Sequence, residues 1–227
     1  MTIYTITYNE SFMLPHFIAH YRGLFPNCRI VVYDNYSTDQ TVQIAESNNC
    51  EVRLYDTNGK LDDLTYLKIK NNCWKETKGW VIIADCDEFL DYQPSTLETA
   101  EKQGYTALKA EGYNMVNLTD RLDFNLIEGK VRAKSYDKIY CFNTKEIKEI
   151  NYGAGCHNAE PKGNVLIKNI GVCHHYKYVQ IDYMIKRHEV FASRLSDENI
   201  KRGFGFHYVY TAEEIRTEFE NARKLAK

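Results

Sequence analysis

Trp80-Val81-Ile82-Ile83-Ala84-Asp85-Cys86-Asp87-Glu88-Phe89-Leu90-Asp91 decides how this chain is read. Trp80 to Ala84 is apolar without interruption, the pattern of a strand buried on both faces of a sheet. Four carboxylates then fall within seven positions. In open α/β sheets, ligands bind at the carboxyl ends of strands. Asp85 and Asp87 are one residue apart, so in extended chain both side chains leave the same face. Two carboxylates in one crevice repel unless a cation lies between them. Hard oxygen ligands favour Mg²⁺ or Mn²⁺, ions that also take phosphate oxygens. Such an ion offsets the charge of a departing diphosphate. A D-x-D alone has a plainer explanation, a solvated acidic turn after a strand, so its neighbours in the sequence carry weight.

Working outward, Thr2–Thr7 (TIYTIT), Arg29–Tyr33 (RIVVY) and Glu51–Tyr55 read as strands from their β-branched and aromatic content. Between them, 12–25 has mostly helical apolar spacing with Pro15 near its start. Residues 38–48 form a second helix capped by Ser37 or Thr38, and 62–78 a third opening on Asp62-Asp63. This βαβαβαβ rhythm predicts an α/β protein with a mostly parallel sheet covered by helices. After Asp91 the rhythm breaks. Ser95-Thr96-Leu97-Glu98 looks like a capping box, and 105–172 reads as strands and loops. Helices are expected over 179–195 and 212–226, the last opened by Thr211 with Glu214 three positions on. With no linker or repeat, residues 1–227 are expected to form a single domain: an N-terminal half to 92, a second half over 93–178 with a small antiparallel part, and C-terminal helices over 179–227.

The 227 residues carry 29 Lys+Arg against 31 Asp+Glu, a net charge of −2, which does not suit a general nucleic-acid binder. No apolar run approaches the roughly 18 residues of a membrane span, and the first ten residues lack a leader pattern. Seven cysteines without a C-x-x-C pair read as free thiols of a reducing compartment, so a cytoplasmic location is expected. A peripheral membrane contact through the basic end of the last helix (Arg216, Arg223, Lys224, Lys227) is the alternative to a merely solvated helix end.

Three motifs occur in order at the ends of the predicted strands: Tyr8-Asn9-Glu10, Tyr33-Asp34-Asn35-Tyr36-Ser37-Thr38-Asp39-Gln40-Thr41, and the Asp85-Cys86-Asp87-Glu88-Phe89 segment. Together they resemble the family-2-like glycosyltransferases of the GT-A fold. The resemblance covers residues 1 to about 92 and resumes weakly at Cys173-His174-His175-Tyr176-Lys177-Tyr178. It implies a nucleotide-diphosphate sugar donor, a UDP-sugar first, and transfer to an acceptor hydroxyl on a glycan or glycoconjugate. It further implies that Thr5 to Tyr8, with Thr5, Thr7 and Asn9 as contacts, wall the nucleobase, that Asp34 contacts the uracil or ribose, and that Asp85 faces the ribose or the metal. Asp87 would be the main ligand of Mn²⁺ or Mg²⁺. Asp34 could instead close an Asx turn with Ser37, and Asp39 suits a helix cap better than a ligand contact.

In the second half a neutral imidazole can complete a metal shell, and the resemblance favours His175 over His174; adjacent strand residues face opposite ways, so only one is expected to reach the ion. Lys68 or Lys70 on the third helix, and Lys177, are candidate diphosphate contacts. Inverting transfer needs a general base; Glu88 beside the acidic motif, or Asp137, Asp120 or Asp123 in the second half, are the candidates, and the sequence does not choose. His157, in a glycine-bearing loop, is a candidate for the acceptor pocket or an ordinary surface histidine. Tyr113, Tyr136, Tyr152 and Trp80 offer aromatic faces for a sugar. Two other functions fit part of the pattern: a nucleotidyltransferase, which would normally bring a glycine-rich basic loop near the first strand, and a nucleotide-sugar-binding module without catalysis.

Overall fold

The structure, a computed structural model, describes residues 1–226; Lys227, read above as part of a basic helix end, lies outside them. In chain order the elements are β1 (Thr2–Thr7), α1 (Leu14–Leu24), β2 (Arg29–Asp34), α2 (Thr41–Ser47), β3 (Glu51–Leu54), α3 (Asp63–Asn72), β4 (Trp80–Ile83), β5 (Glu88–Leu90) and α4 (Pro94–Lys102). The second half adds β6 (Ala107–Val116), β7 (Gly129–Arg132), β8 (Lys138–Asn143), β9 (Ile147–Glu149), β10 (Lys162–Gly163) and β11 (Ile167–Tyr178), followed by α5 (Ile181–Arg194), α6 (Asp197–Arg202) and α7 (Ala212–Ala226).

Strand order in the main sheet of the described residues is β3-β2-β1-β4-β8-β6-β11-β5, with β7 on β6; β9 and β10 form a separate antiparallel pair. The four N-terminal strands are all parallel. From β1 the chain winds outward to β2 and β3, then returns to place β4 on the other side of β1. That reversal opens a crevice at the carboxyl ends of β1 and β4. The second half is mixed: β8 runs antiparallel to β4 and β6, whereas β11 is parallel to β6 and antiparallel to β5.

Period-2 alternation sends the N-terminal strands into two cores. Ile3, Ile30, Val32 and Ile82 pack with Phe17 and Tyr21 of α1 on one face. Tyr4, Val31, Val81 and Ile83 pack with Trp74 and Phe142 on the other. Each such aliphatic side chain contributes about 1.5–3 kcal/mol by leaving water. A smaller cluster of Val116, Met184, Ile215 and Phe219 fastens α5 and α7 to the sheet.

Local chemistry moves some expected helix ends. Asp62 caps α3 by accepting from the Thr65 N–H at 2.8 Å, but the helix stops at Asn72 rather than Lys78. The second helix begins at Thr41, not at 38: Ser37 is drawn into a turn on Asp34, and the Asp39 carboxylate accepts the Thr41 N–H at 2.9 Å. The Ser95 capping box does not form, because Pro94 already starts α4. At α7 the box does form, with the Glu214 carboxylate accepting the Thr211 N–H at 2.7 Å. The short α6, capped by Ser196 and closed by left-handed Gly203, was not anticipated.

Candidate active site

β4 ends at Ile83, and the next residues leave the ladder. The Glu88 N–H reaches the Asp85 carbonyl at 2.9 Å, folding Asp85 to Glu88 into a turn. Asp85 and Asp87 therefore share a cleft because of that turn, not because of strand alternation. Glu88 holds the turn from beneath: its carboxylate accepts the Asp85 N–H at 2.8 Å, pairs with the Lys138 ammonium and takes the Tyr140 hydroxyl at 3.4 Å. Glu88 is 1% exposed and Lys138 4%, so they form a buried pair under the cleft floor.

The cleft has a volume of about 410 Å³. One wall comes from the end of β1 and from α3, including Thr7, Tyr8, Glu10, Asp63, Tyr66 and Lys70. The rest of the lining carries Tyr136, Lys138, Ala154 to His157, whose turn packs on α3, and His175, and a roof comes from α5 and residues 203–208. Cations flank each acidic group. The Lys70 Nζ donates to Asp85 at 2.6 Å. Arg187 of α5 spans Glu10 at 2.8 Å and Asp87 at 3.2 Å. Burial alone would raise Asp87, yet His175 and Arg187 hold its carboxyl below the usual range. Burial pushes Glu10 up to about 7, against the Arg187 guanidinium and with help from the Asp87 charge.

His175 sits on β11 at the register position of Glu88 and Asn114. Its Nδ1 lies 2.7 Å from the Asn114 amide oxygen, its ring stacks on Tyr136 at 3.9 Å, and its Nε2 lies 3.7 Å from an Asp87 oxygen. An amide oxygen only accepts, so Nδ1 carries the hydrogen; Nε2 faces Asp87, where it carries a proton towards the carboxylate or, with a cation in that proton's place, would present its lone pair to the ion, the arrangement a metal-binding histidine takes from its outer partner. His174 faces the other way, against the Met115 sulfur at 3.3 Å. The donor set thus fits a divalent cation at two positions, Asp87 and His175. Asp85 is turned to Lys70, and among the described residues no group of three or more acidic, histidine or cysteine side chains is arranged around one point.

The structure brings Thr7, Asp85, Asp87, His157 and His175 to one cleft and leaves other expected residues outside it. Asp34 is fully buried, accepting from Thr7 at 3.0 Å and from the Ser37 N–H at 2.8 Å. Asn9, at φ +54°, accepts the Thr38 N–H at 2.8 Å. These two tie the loop after β1 to the loop after β2, so their polar atoms are spent on the fold. Thr5 is buried beneath them. Lys68 points away from the cleft on the exposed side of α3, and Lys70, two residues on, takes the inner position. Lys177 pairs with Glu218 at 2.5 Å, and Asp137 with Arg132 at 2.7 Å, both away from the cleft. Of the aromatic candidates only Tyr136 lines it.

Sequence reasoning missed Arg187 and the roof over 203–208. Arg187 lies 100 positions beyond Asp87 on an amphipathic helix, and no local motif marks it. The roof carried a readable signal in Gly203-Phe204-Gly205-Phe206, whose glycines adopt φ +69° and +65°.

A parallel sheet reversing beside β1, with an acidic turn at the reversal, makes this an α/β fold of GT-A type. The chain belongs to glycosyl transferase family 2, whose profile matches residues 2–140. Among solved structures, S. aureus TarS is similar at 15% identity and TM-score 0.51, over 97% of this chain and 43% of TarS, so the chain spans less than half the length of that protein. The 1–349 form of S. aureus TarS matches at 17% identity and TM-score 0.47, over 97% of this chain and 70% of that one. The mannosyltransferase PcManGT from Pyrobaculum calidifontis, solved with GDP-Man and Mn²⁺, matches at 14% identity and TM-score 0.45, over 85% and 62% of the two chains. No curated protein matches the chain.

Proposed function

We propose that the cleft binds a nucleotide-diphosphate sugar, a UDP-sugar first, together with Mn²⁺ or Mg²⁺, and transfers the glycosyl unit to an acceptor hydroxyl of a glycan or glycoconjugate. The observation that carries this reading is the turn that opens Asp85 and Asp87 on one crevice at the reversal of a parallel sheet, with Lys70 and Arg187 alongside. A cleft of about 410 Å³ falls in the range of small-molecule sites.

Asp87 and His175 would hold the ion, with Asp85 joining once released from Lys70. When bound, the ion supplies positive charge to the departing diphosphate. Lys70 and Arg187 are the chain's own cations at the same place; displaced from Asp85 and Asp87, they are free to bind phosphate oxygens. Tyr8, with the Arg194 guanidinium over its ring, supplies an aromatic wall at the end of β1 where a base would lie.

Free UDP and transferred sugar are measured on a panel of UDP-sugars, with and without Mn²⁺. Turnover is expected only with the ion, and Asp87→Asn is expected to lower it by about two orders of magnitude, the scale of losing one group that stabilises transition-state charge. Turnover unchanged by chelation or by Asp87→Asn contradicts the metal assignment. Release of pyrophosphate in place of UDP points to nucleotidyl transfer.

A further inference from the structure

We propose that Asp63 takes the ribose hydroxyls of the donor nucleotide, so that the cleft selects a ribonucleoside over a deoxyribonucleoside diphosphate; this rests on the function proposed above. Asp34, the acceptor that the resemblance assigns to the uracil or ribose, is fully buried and spent on Thr7 and Ser37. A nucleoside in this cleft therefore needs another acceptor for its hydroxyl donors.

Helix α3 supplies one. Asp63, Tyr66, Leu67 and Lys70 all line the cleft, and their spacing of three, four and seven residues sets them on one helix face. Lys70 stands at the acidic turn, 2.6 Å from Asp85, the proposed place of the diphosphate. Asp63 lies about 10 Å back along the axis, at a rise of 1.5 Å per residue. The start of α3 is tied to Tyr8 through one residue. The Arg194 guanidinium lies 3.1 Å from the centre of the Tyr8 ring, and its Nε donates to the Gly59 carbonyl at 2.9 Å. The Leu61 N–H, two residues before Asp63, donates to the Arg194 carbonyl at 2.6 Å. A ribose that joins a base at Tyr8 to a diphosphate at Lys70 passes the first turn of α3.

The chemistry of Asp63 suits hydroxyl donors better than a structural task. Among the described residues, four carboxylates line the cleft: Glu10 and Asp87 share Arg187, Asp85 has Lys70, and Asp63 forms no ion pair. Burial raises its carboxyl, with the Lys70 charge and the Asn199 amide acting the other way. Capping of the helix falls to its neighbour, since the Asp62 carboxylate accepts the Thr65 N–H at 2.8 Å. An unpaired carboxylate beside a site for a polyanion opposes binding by repulsion unless the ligand brings hydrogens to it. A vicinal diol brings two, one for each oxygen. At the same end of the cleft the Nη1 of Arg194, a residue 6% exposed, is a buried donor without an acceptor. This corner thus holds hydrogen-bonding capacity that the fold does not use.

Isothermal titration calorimetry with Mn²⁺ present compares UDP, 2′-deoxyuridine diphosphate and inorganic pyrophosphate on wild type, Asp63→Asn and Tyr8→Leu. Wild type is expected to bind UDP about 10–100-fold more tightly than the deoxy ligand, the scale of one hydrogen bond to a charged group. Asp63→Asn is expected to weaken UDP by a similar factor and to bring the two nucleotides within about threefold of each other, without weakening pyrophosphate. Tyr8→Leu is expected to weaken both nucleotides alike, keeping their ratio and sparing pyrophosphate. The wild-type ratio needs no variant: equal affinity for the two nucleotides overturns the assignment while leaving the proposed function standing. A ratio that survives in Asp63→Asn, or an equal loss of UDP and pyrophosphate in that variant, overturns it as well. A wild type that binds neither UDP nor pyrophosphate overturns the function and the role of Asp63 with it.

Discussion

The Glu88–Lys138 pair lies under the cleft floor with both side chains withdrawn from water. Removing one partner of such a pair strands a buried charge and costs about 3–5 kcal/mol. Lys138→Met is therefore expected to lower stability by that amount in urea unfolding, and Lys138→Met with Glu88→Gln to recover a large part of it; no loss in the single variant contradicts the pairing. The same residues show how far side-chain roles could be read in advance. An Asp-Cys-Asp-Glu-Phe run at a strand end announces carboxylates at a crevice. Which of them faces solvent depends on partners such as Lys138 and Tyr140, some 50 positions away. Asp34 teaches the same lesson: both the ligand and the Asx-turn readings suited its neighbours, and the structure shows its oxygens engaged by Thr7 and Ser37. Lys68 and Lys70 were indistinguishable until the rotation of α3 was known.

Strand β6 meets the short turn 134–136 at Gly112, where a Cβ would stand 2.3 Å from the Tyr136 Cβ and 2.6 Å from the Ala133 carbonyl oxygen. Gly112→Ala is expected to push that turn away and pull Tyr136 off the His175 ring. Activity should fall at least about tenfold, the order that a 1 Å misplacement of a supporting group produces, with far-UV circular dichroism unchanged. An active variant contradicts the role assigned to the Tyr136–His175 stack. The βα elements up to β4 were legible because each is a local pattern: β-branched runs, amphipathic spacing, an Asp62 cap. Beyond Asp91 the pairings β8 with β4 and β11 with β5 are antiparallel and distant in sequence, and no local pattern specifies them. The turn after β4 was misjudged as extended chain for a related reason: the backbone bond from Glu88 to Asp85 that closes it leaves no compositional trace.

Two parts of the chain meet at the cleft. The family profile ends at residue 140, yet His157, His175, Arg187 and the roof over 203–208 all come from later positions. The protein also carries a pH dependence distributed over its whole body. Burial lowers His16, His20, His174, His188 and His207. In the unfolded chain these rings bind protons below about pH 6.5 while the native ones stay neutral, so native stability falls as pH falls through that value. Each ring kept fully neutral costs up to about 1.4 kcal/mol at pH 5.5, less where solvent screens it. Glu10 acts in the opposite sense: raised to about 7, it binds a proton in the native state first, and its share of stability is lost as pH rises from about 4.5 to 7. Burial raises Asp63 in the same sense as Glu10. With five rings against these two carboxyls, the urea midpoint is expected to be lower at pH 5.5 than at pH 7.5; a midpoint that rises on acidification contradicts the burial of these histidines.

The account turns on a divalent ion and a diphosphate meeting at the turn after β4. Anomalous diffraction from crystals grown with Mn²⁺ and UDP tests this most directly. The predicted map has one manganese peak within coordinating distance of Asp87 and His175 and in contact with the UDP phosphates, with the Arg187 side chain withdrawn from Asp87. Phosphates bound elsewhere, or Arg187 still paired to Asp87 with UDP in place and no manganese peak, would contradict it.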